Sequence, residues 1–197
     1  MEKTRLTVLG CSIGAAIALL LTGCASSMPL PAEPRSTSQS NVASPSDQPL
    51  ATASPSGSPV TIGCDQLLSL QNVYDFNPNY GANPSFTVPD QLLPLTKIGG
   101  VACGWINQTS GDTIAVGVAK PDATTQATAA NTAASSYTAV PTYGTAPLEG
   151  YFGMSGSTGV ATVFSNGYWI VVTGSAFLEP GDATKLVQSV IANLPGE

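Results

Sequence analysis

The chain has 197 residues, room for one ordinary domain plus extra segments, and only 9% of them are charged. With a formal net charge of -6, it lacks the footprint of a nucleic-acid-binding protein, and this charge argues against peripheral attachment to anionic lipid through a basic patch. The sequence contains no His. Because His is the usual general base and a common metal ligand, its absence excludes Ser-His-Asp and Cys-His mechanisms and His-containing zinc sites.

The N-terminus has the pattern of a secretory signal peptide. Lys3 and Arg5 precede residues 6–21, an uncharged and mostly apolar run that is followed by small residues. The run is short for a permanent transmembrane helix and no stop-transfer charges follow it, which favours cleavage over the alternative of an uncleaved anchor. We therefore predict a signal peptide over residues 1–23.

The sequence Leu-Thr-Gly-Cys at residues 21–24 resembles the lipobox of bacterial lipoproteins. The resemblance implies that the thiol of Cys24 accepts a diacylglyceryl group and becomes the first residue of the mature chain. Two or more acyl chains anchor a protein durably. The expected location is therefore the cell membrane, with the protein lipid-anchored and facing outside the cytoplasm.

Beyond Cys24 the chain is rich in Ser, Thr, Pro and Ala up to about residue 62 and has few large apolar side chains. Such a segment cannot bury enough surface to offset its ordering entropy, so residues 24–62 are predicted to form a lipidated, disordered tether. A flexible chain of this length spans about 35 Å on average. Its composition is also that of O-glycosylated stalks, and both interpretations stay open.

The folded domain is predicted over residues 63–197. Alternation of apolar residues predicts a hairpin at 101–106 and 114–118, a strand at 149–154, and a second hairpin at 160–165 and 168–173 around the Asn166-Gly167 turn. Helices are predicted at 64–70, after Asp122 and after Asp182, while the Pro-rich segment 72–100 is predicted to be a long loop with one possible turn at 90–93. These elements predict an α+β fold: a single domain with an antiparallel sheet of about five strands and helices packed mainly on one face.

Helical spacing also predicts which residues the two long helices bury. In the helix after Asp122 the predicted stripe is Ala123, Ala127, Ala130, Ala134 and Tyr137. In the helix after Asp182 it is Leu186, Val187, Val190, Ile191 and Leu194, with Pro195 ending the helix.

Two Cys remain after lipidation of Cys24, because Cys11 lies within the signal peptide. An even pair in an exported domain indicates a disulfide between Cys64 and Cys103. A redox-active pair is the alternative, but the chain has no Cys-x-x-Cys motif. Trp105, two residues beyond Cys103, is expected to pack on the bridge.

The lipobox, the tether, Cys-Asp-Gln-Leu-Leu at 64–68 and Ala-Cys-Gly-Trp at 102–105 together resemble a class of actinobacterial lipoproteins of unknown function. The resemblance extends from the signal peptide to about Lys120. It implies an envelope location and the bridge between Cys64 and Cys103. It implies no activity.

No catalytic residue, metal ligand or cofactor is predicted. Beyond the predicted signal peptide, which holds Gly-Cys-Ser-Ile-Gly at residues 10–14, the chain has no Gly-x-Ser-x-Gly and no Ser-x-x-Lys motif, and its carboxylates are scattered. Residues 75–79 begin like a calcium loop, but Tyr80 stands where that loop needs Gly and Phe86 where it needs Glu. A hydrogen-bonded turn is the favoured interpretation of this segment.

The same segment holds the candidate binding residues, which are Tyr74, Phe76, Asn77, Asn79 and Tyr80. Aromatic faces beside amides suit sugars or peptides, whereas the alternative is an aromatic lid over the core. Tyr80 is expected to be the most exposed of them because flexible Gly81 follows it. Trp169, opposite Phe164 in the second hairpin, is either a core residue or the wall of a groove.

The expected function is that of a membrane-anchored, non-enzymatic binding module of the cell envelope. Its expected partners are the membrane, through the lipid on Cys24, and an envelope polymer, a small ligand or an envelope protein; nucleic acid is excluded. Two alternatives stay open. One is an accessory or structural envelope protein that presents an interaction surface, and the other is a hydrolase without histidine.

Overall fold

The computed structural model describes residues 54–196. The predicted signal peptide, Cys24 and most of the predicted tether lie outside the described residues. Within residues 54–196, no helix has both the length and the apolar character needed to span a membrane.

The described residues contain an antiparallel sheet of eight strands. The strands are β1 (Gly57–Ser58), β2 (Tyr80–Ala82), β3 (Val101–Asn107), β4 (Thr113–Pro121), β5 (Thr138–Ala139), β6 (Glu149–Ser155), β7 (Thr158–Ser165) and β8 (Tyr168–Gly174). Their order is β2-β3-β4-β8-β7-β6-β5, and β1 pairs with the end of β4. The sheet exceeds the predicted five strands because β1, β2 and β5 are too short to show a period in the sequence. β1 lies inside the predicted tether, so the prediction of a disordered tether up to residue 62 is wrong for residues 57–58.

Five helices accompany the sheet in residues 54–196. They are α1 (Cys64–Leu67), α2 (Leu70–Phe76), α3 (Leu93–Lys97), α4 (Ala123–Ser136) and α5 (Pro180–Asn193), with 3-10 turns at Asp90–Leu92 and Pro141–Tyr143. The predicted α+β class is confirmed. The predicted placement of the helices mainly on one face is wrong, because α1, α2 and α5 cover one face while α3 and α4 lie on the other.

The centre of the sheet consists of the two predicted hairpins side by side. Asn166 and Gly167 have φ values of 48° and 71°, the left-handed conformation that a tight two-residue turn requires. This turn fixes the register in which Phe164 lies opposite Trp169. β4 and β8 then join the hairpins, with Val116 opposite Val172.

One face of the sheet, here called the α5 face, carries the large side chains of the central strands. Its buried members include Trp105, Ile114, Val116, Val118, Val163, Ile170 and Val172. On this face α5 buries Leu186, Val187 and Val190 completely, as predicted, while Ile191 and Leu194 are half-buried. The Cys64–Cys103 disulfide, with its Cα atoms 5.6 Å apart, joins α1 to β3 there.

The opposite face, here called the α3 face, carries small residues at its centre. They are Ala102, Gly104, Ala115, Gly117 and Ala119. A Cβ on Gly117 would lie 2.8 Å from Leu92 and 3.2 Å from Leu95, so these leucines rest directly on the backbone of the sheet. The small residues therefore leave the space that the segment before β3 occupies.

That segment is not the long loop that its prolines suggest. Ser69 caps α2, its Oγ accepting from the N–H of Asn72 at 3.2 Å, and α2 continues to Phe76. Pro94 lies in the first turn of α3, where its missing N–H costs no hydrogen bond. The 3-10 turn before α3 agrees with the helical turn predicted near residue 90.

The predicted buried stripe of α4 is also wrong. Ala133 is the buried residue of this helix, whereas Ala123, Ala127 and Ala134 are exposed. Tyr137 follows the helix and packs closely on Gly153 of β6. Alanines recur so often in α4 that the sequence fits several different buried sides of the helix. The packing of Tyr137 on the sheet determines which of these sides is buried.

Candidate functional site

The five predicted binding residues do not form a common exposed face. Tyr80 is only 8% exposed, because it pairs with Asn107 at the start of β2, and its ring lies 5.5 Å from that of Phe76. Burial, together with the charge of Asp112, raises the pKa of Tyr80. Tyr80 is therefore a core residue, and the prediction that it is the most exposed is wrong. Tyr74, at 62% exposure, is the more exposed ring.

The neighbouring residues serve the local turn. The side-chain oxygen of Asn77 accepts from the N–H of Asn79 at 2.9 Å, and the N–H of Asn77 closes α2 by donating to the carbonyl of Val73. Phe76 packs against Phe177 with ring centroids 6.2 Å apart. Of the five residues, Tyr74 and Asn79 remain exposed to solvent.

Two grooves lie instead at the end of the sheet where β7 turns into β8. The first, the α4 groove, has a volume of about 500 Å³. One wall is the side of α4 formed by Ala123, Gln126, Ala127 and Ala130. The rest of the lining is Pro147, Glu149 and residues 164–167.

The second groove, the α5 groove, has a volume of about 470 Å³. It lies between residues 143–148 and the C-terminal half of α5, where Gln188, Ile191 and Ala192 line it. Both grooves are lined by Pro147, Ser165 and Asn166, so these residues form a ridge between them. The left-handed conformation of Asn166 places this residue at the tip of the turn.

The polar groups of the two grooves are mostly neutral. Amides come from Gln126, Asn166 and Gln188, and hydroxyls from Ser165 and Thr145. Among the described residues that line either groove, Glu149 is the one acidic residue, and none is Lys or Arg. Such groups donate and accept hydrogen bonds without selecting for charge.

An aromatic row lies beside the α4 groove on the α3 face. The ring centroids of Tyr151 and Phe164 are 6.5 Å apart, and those of Phe164 and Trp169 are 6.2 Å apart. Phe164, only 4% exposed, lines the groove, whereas Trp169 does not. Trp169 packs against the α3-face core, and its Nε1 is a buried donor that has no acceptor within residues 54–196. Of the two interpretations of Trp169, the structure therefore favours the core.

Glu149 is held at the rim of the α4 groove by the same row. Its Oε2 accepts from the hydroxyl of Tyr151 at 3.1 Å. Burial, the hydrogen bond to Glu149 and the charge of Glu149 raise the pKa of Tyr151, so its hydroxyl stays protonated to a higher pH than that of an ordinary tyrosine. This hydrogen bond orients the Glu149 carboxylate, which is exposed and keeps further acceptor sites.

Elsewhere in residues 54–196, no three His, Cys, Asp or Glu side chains come close enough together to hold a metal ion. Asp112 accepts from the hydroxyls of Ser110 at 2.7 Å and Ser175 at 3.1 Å, which ties the β3–β4 turn to the end of β8. These contacts stabilise the turn.

Sequence reasoning missed the grooves because their walls come from distant parts of the chain. Gln126, Glu149, Asn166 and Gln188 meet only through the packing of α4 and α5 on opposite faces of the sheet. The Asn-Gly turn was the one local signal at this position. Comparisons of the chain with protein-family models, with curated proteins and with solved structures found no match.

Proposed function

We propose that this protein is an exported lipoprotein, anchored to the cell membrane through Cys24, whose folded domain is a non-enzymatic binding module facing outside the cytoplasm. The observation that carries the binding role is the pair of grooves at the β7–β8 turn, lined by neutral amides and hydroxyls around a single carboxylate. Hydrogen-bonding groups at a concave surface are what orients a bound ligand.

The exported location is supported by the chain on both sides of the tether. On one side stand the apolar run and the lipobox-like sequence at residues 21–24. On the other, the Cys64–Cys103 disulfide belongs to an oxidising compartment such as the outside of the cell. The membrane is thus the first partner, and the ligand of the grooves is the second.

The anchor is tested by Cys24→Ala, and Cys11→Ala is the matched control. Both cysteines belong to the N-terminal 24 residues, but only Cys24 ends the lipobox-like sequence. Cell fractionation should find the Cys24→Ala variant outside the membrane fraction or with an uncleaved signal peptide. Cys11→Ala should fractionate like the wild type. Normal processing and membrane retention of Cys24→Ala would refute the lipoprotein assignment.

The binding role is tested by capture from the envelope of the producing cells. The full lipidated protein is used as bait, and captured glycans, small molecules and proteins are identified by mass spectrometry. Ala127→Trp, which places a large ring at the α4 groove from an exposed position, should abolish capture. Ala134→Trp, exposed on the same helix outside the groove, is the control and should leave it unchanged. Equal capture by both variants would contradict the proposed site.

A second candidate function, an accessory protein that docks on another envelope protein, is favoured by exposed apolar residues. Leu70 and Tyr74 lie one turn apart on α2 and are 85% and 62% exposed, and Leu178 before α5 is 76% exposed. Residues four positions apart share one side of a helix. Leu70→Ser with Tyr74→Ser should abolish capture of a protein partner if this surface binds it, and should leave capture by the grooves intact.

A further inference from the structure

We propose that the α4 groove and the α5 groove act together as one extended site for a linear neutral glycan, which crosses the ridge between them. This inference rests on the proposed binding function and names its ligand class. It is carried by the shared lining of the grooves, by their charge and by the elements that form their walls.

The continuity of the grooves favours a chain-like ligand. Pro147, Ser165 and Asn166 face both grooves, so a ligand that leaves one groove over this ridge enters the other. Each groove alone has the volume of a small-molecule pocket, about 300–1,000 Å³. Neither is enclosed, however, and an open groove covers only part of a small ligand. A chain that occupies both grooves gains contacts in each and compensates for their openness.

The charge of the lining excludes an anionic chain. Neither Lys nor Arg is among the described residues that line the grooves, and Glu149 would repel carboxylates or phosphates. The net charge of -6 adds to this repulsion. The side-chain amides of Gln126, Asn166 and Gln188 each offer both donors and an acceptor, which matches the hydroxyls of a neutral sugar.

The walls favour a glycan over an extended peptide. Extended peptides commonly add to a free strand edge, where the main chain supplies the hydrogen bonds. Here the walls are two helices, a loop and the closed β7–β8 turn, in which Ser165 and Tyr168 already pair with each other. Recognition must therefore come from side chains, and those available are amides and hydroxyls.

The test fills each groove separately in the full-length lipidated protein held in detergent micelles. Ala127→Trp fills the α4 groove and Ala192→Trp fills the α5 groove, both from exposed positions, while Ala134→Trp is the control. The probes are linear α- and β-glucans as disaccharide and octasaccharide, with oligoglutamate and oligolysine peptides as the charged and peptide arms. Binding is measured by isothermal titration calorimetry, and thermal melts establish that each variant is folded.

We expect the wild type to bind an octasaccharide and to bind a disaccharide with an affinity at least about tenfold lower. Each filling variant alone should lower the affinity for the octasaccharide by about tenfold or more, a change of about 1.4 kcal/mol. The control should match the wild type. If only one filling variant weakens binding, a single groove holds the ligand and the extended site is refuted, although the binding module stands. Binding of a peptide arm in place of the glucans overturns the ligand class. If neither glucans nor peptides bind, this inference fails, while capture from the envelope separately decides the proposed function.

Discussion

The side-chain amide of Asn193, the last residue of α5, donates a hydrogen bond to the main-chain carbonyl of Leu67, the last residue of α1, at 3.1 Å. The last carbonyls of a helix have no partner within the helix, so this bond satisfies a group that α1 cannot satisfy itself. The same amide donates to Oδ1 of Asn72 at 2.9 Å. One side chain thus ties the end of α5 to both α1 and α2, beside the disulfide.

Asn193→Ala should therefore destabilise the domain by about 1–3 kcal/mol, since it leaves the carbonyl of Leu67 without its partner. Gln188→Ala, an exposed position on the same helix, is the control and should change stability by no more than about 0.5 kcal/mol. Urea denaturation monitored by tryptophan fluorescence measures both. Equal midpoints for the two variants would show that the amide contributes nothing.

The burial of Tyr80 and the exposure of Tyr74 lead to opposite expectations for two tyrosines six positions apart. Tyr80→Ala should cost about 3 kcal/mol because it removes a buried aromatic ring from the core. Tyr74→Ala should lie within about 0.5 kcal/mol of the wild type. Thermal melts compare them directly, and a large loss for Tyr74→Ala would contradict the exposure of its ring.

These residues show which parts of the fold the sequence could predict. Asn166-Gly167 and the stripe of Leu186, Val187 and Val190 are local patterns, so the hairpin and α5 follow from a few neighbouring residues. The burial of Tyr80 depends on pairing with Asn107, 27 positions away, and on packing against Phe76. No local pattern distinguishes such a ring from an exposed one.

The sequence does contain a pattern which indicates that other residues cover the α3 face. Ala and Gly occupy alternate positions in β3 and β4, opposite to the large residues of the α5 face. The centre of the α3 face needs no polar side chains, because Leu92 and Leu95 pack on its small residues. The grooves left no comparable signal, since their amide-bearing residues Gln126, Asn166 and Gln188, each taken alone, form no local pattern.

The disulfide yields a prediction about both stability and reactivity. Its cysteines are 39 positions apart, and in the chain-entropy model closure of a loop of this size contributes about 4 kcal/mol. Replacing both cysteines by Ala should lower stability by about this amount, measured by urea denaturation. Of the single variants, Cys103→Ala should leave an alkylatable thiol, because Cys64 is exposed. Cys64→Ala should leave a protected one, because Cys103 is 2% exposed.

Peptide mapping of natively exported protein under non-reducing conditions provides the direct check. It should recover the peptide that contains Cys64 joined to the peptide that contains Cys103. Recovery of two free thiols from that material would refute the bridge.

Tyr143 should give the domain a stability that falls at alkaline pH. Its side chain is buried and its hydroxyl donates to the carbonyl of Pro180 at 3.1 Å. Burial, with a further contribution from the charge of Asp182, raises the pKa of Tyr143 above the ordinary value for tyrosine, near 10. Above that value the unfolded chain releases the phenolic proton while the folded chain keeps it, so stability must decrease as pH rises through and beyond this range.

Tyr143→Phe separates this effect from the hydrogen bond. Near neutral pH the variant should be less stable by about 1 kcal/mol, because the carbonyl of Pro180 loses its donor. Above about pH 10 the variant has no phenol to ionise at this position, so it should lose less stability than the wild type and the two curves should converge. Burial also raises the pKa of Tyr80, so some alkaline dependence should persist in the variant. Urea denaturation at a series of pH values measures the stability of both proteins. If the two stability curves run parallel between neutral and alkaline pH, Tyr143 titrates alike in the folded and the unfolded chain, which would contradict the prediction.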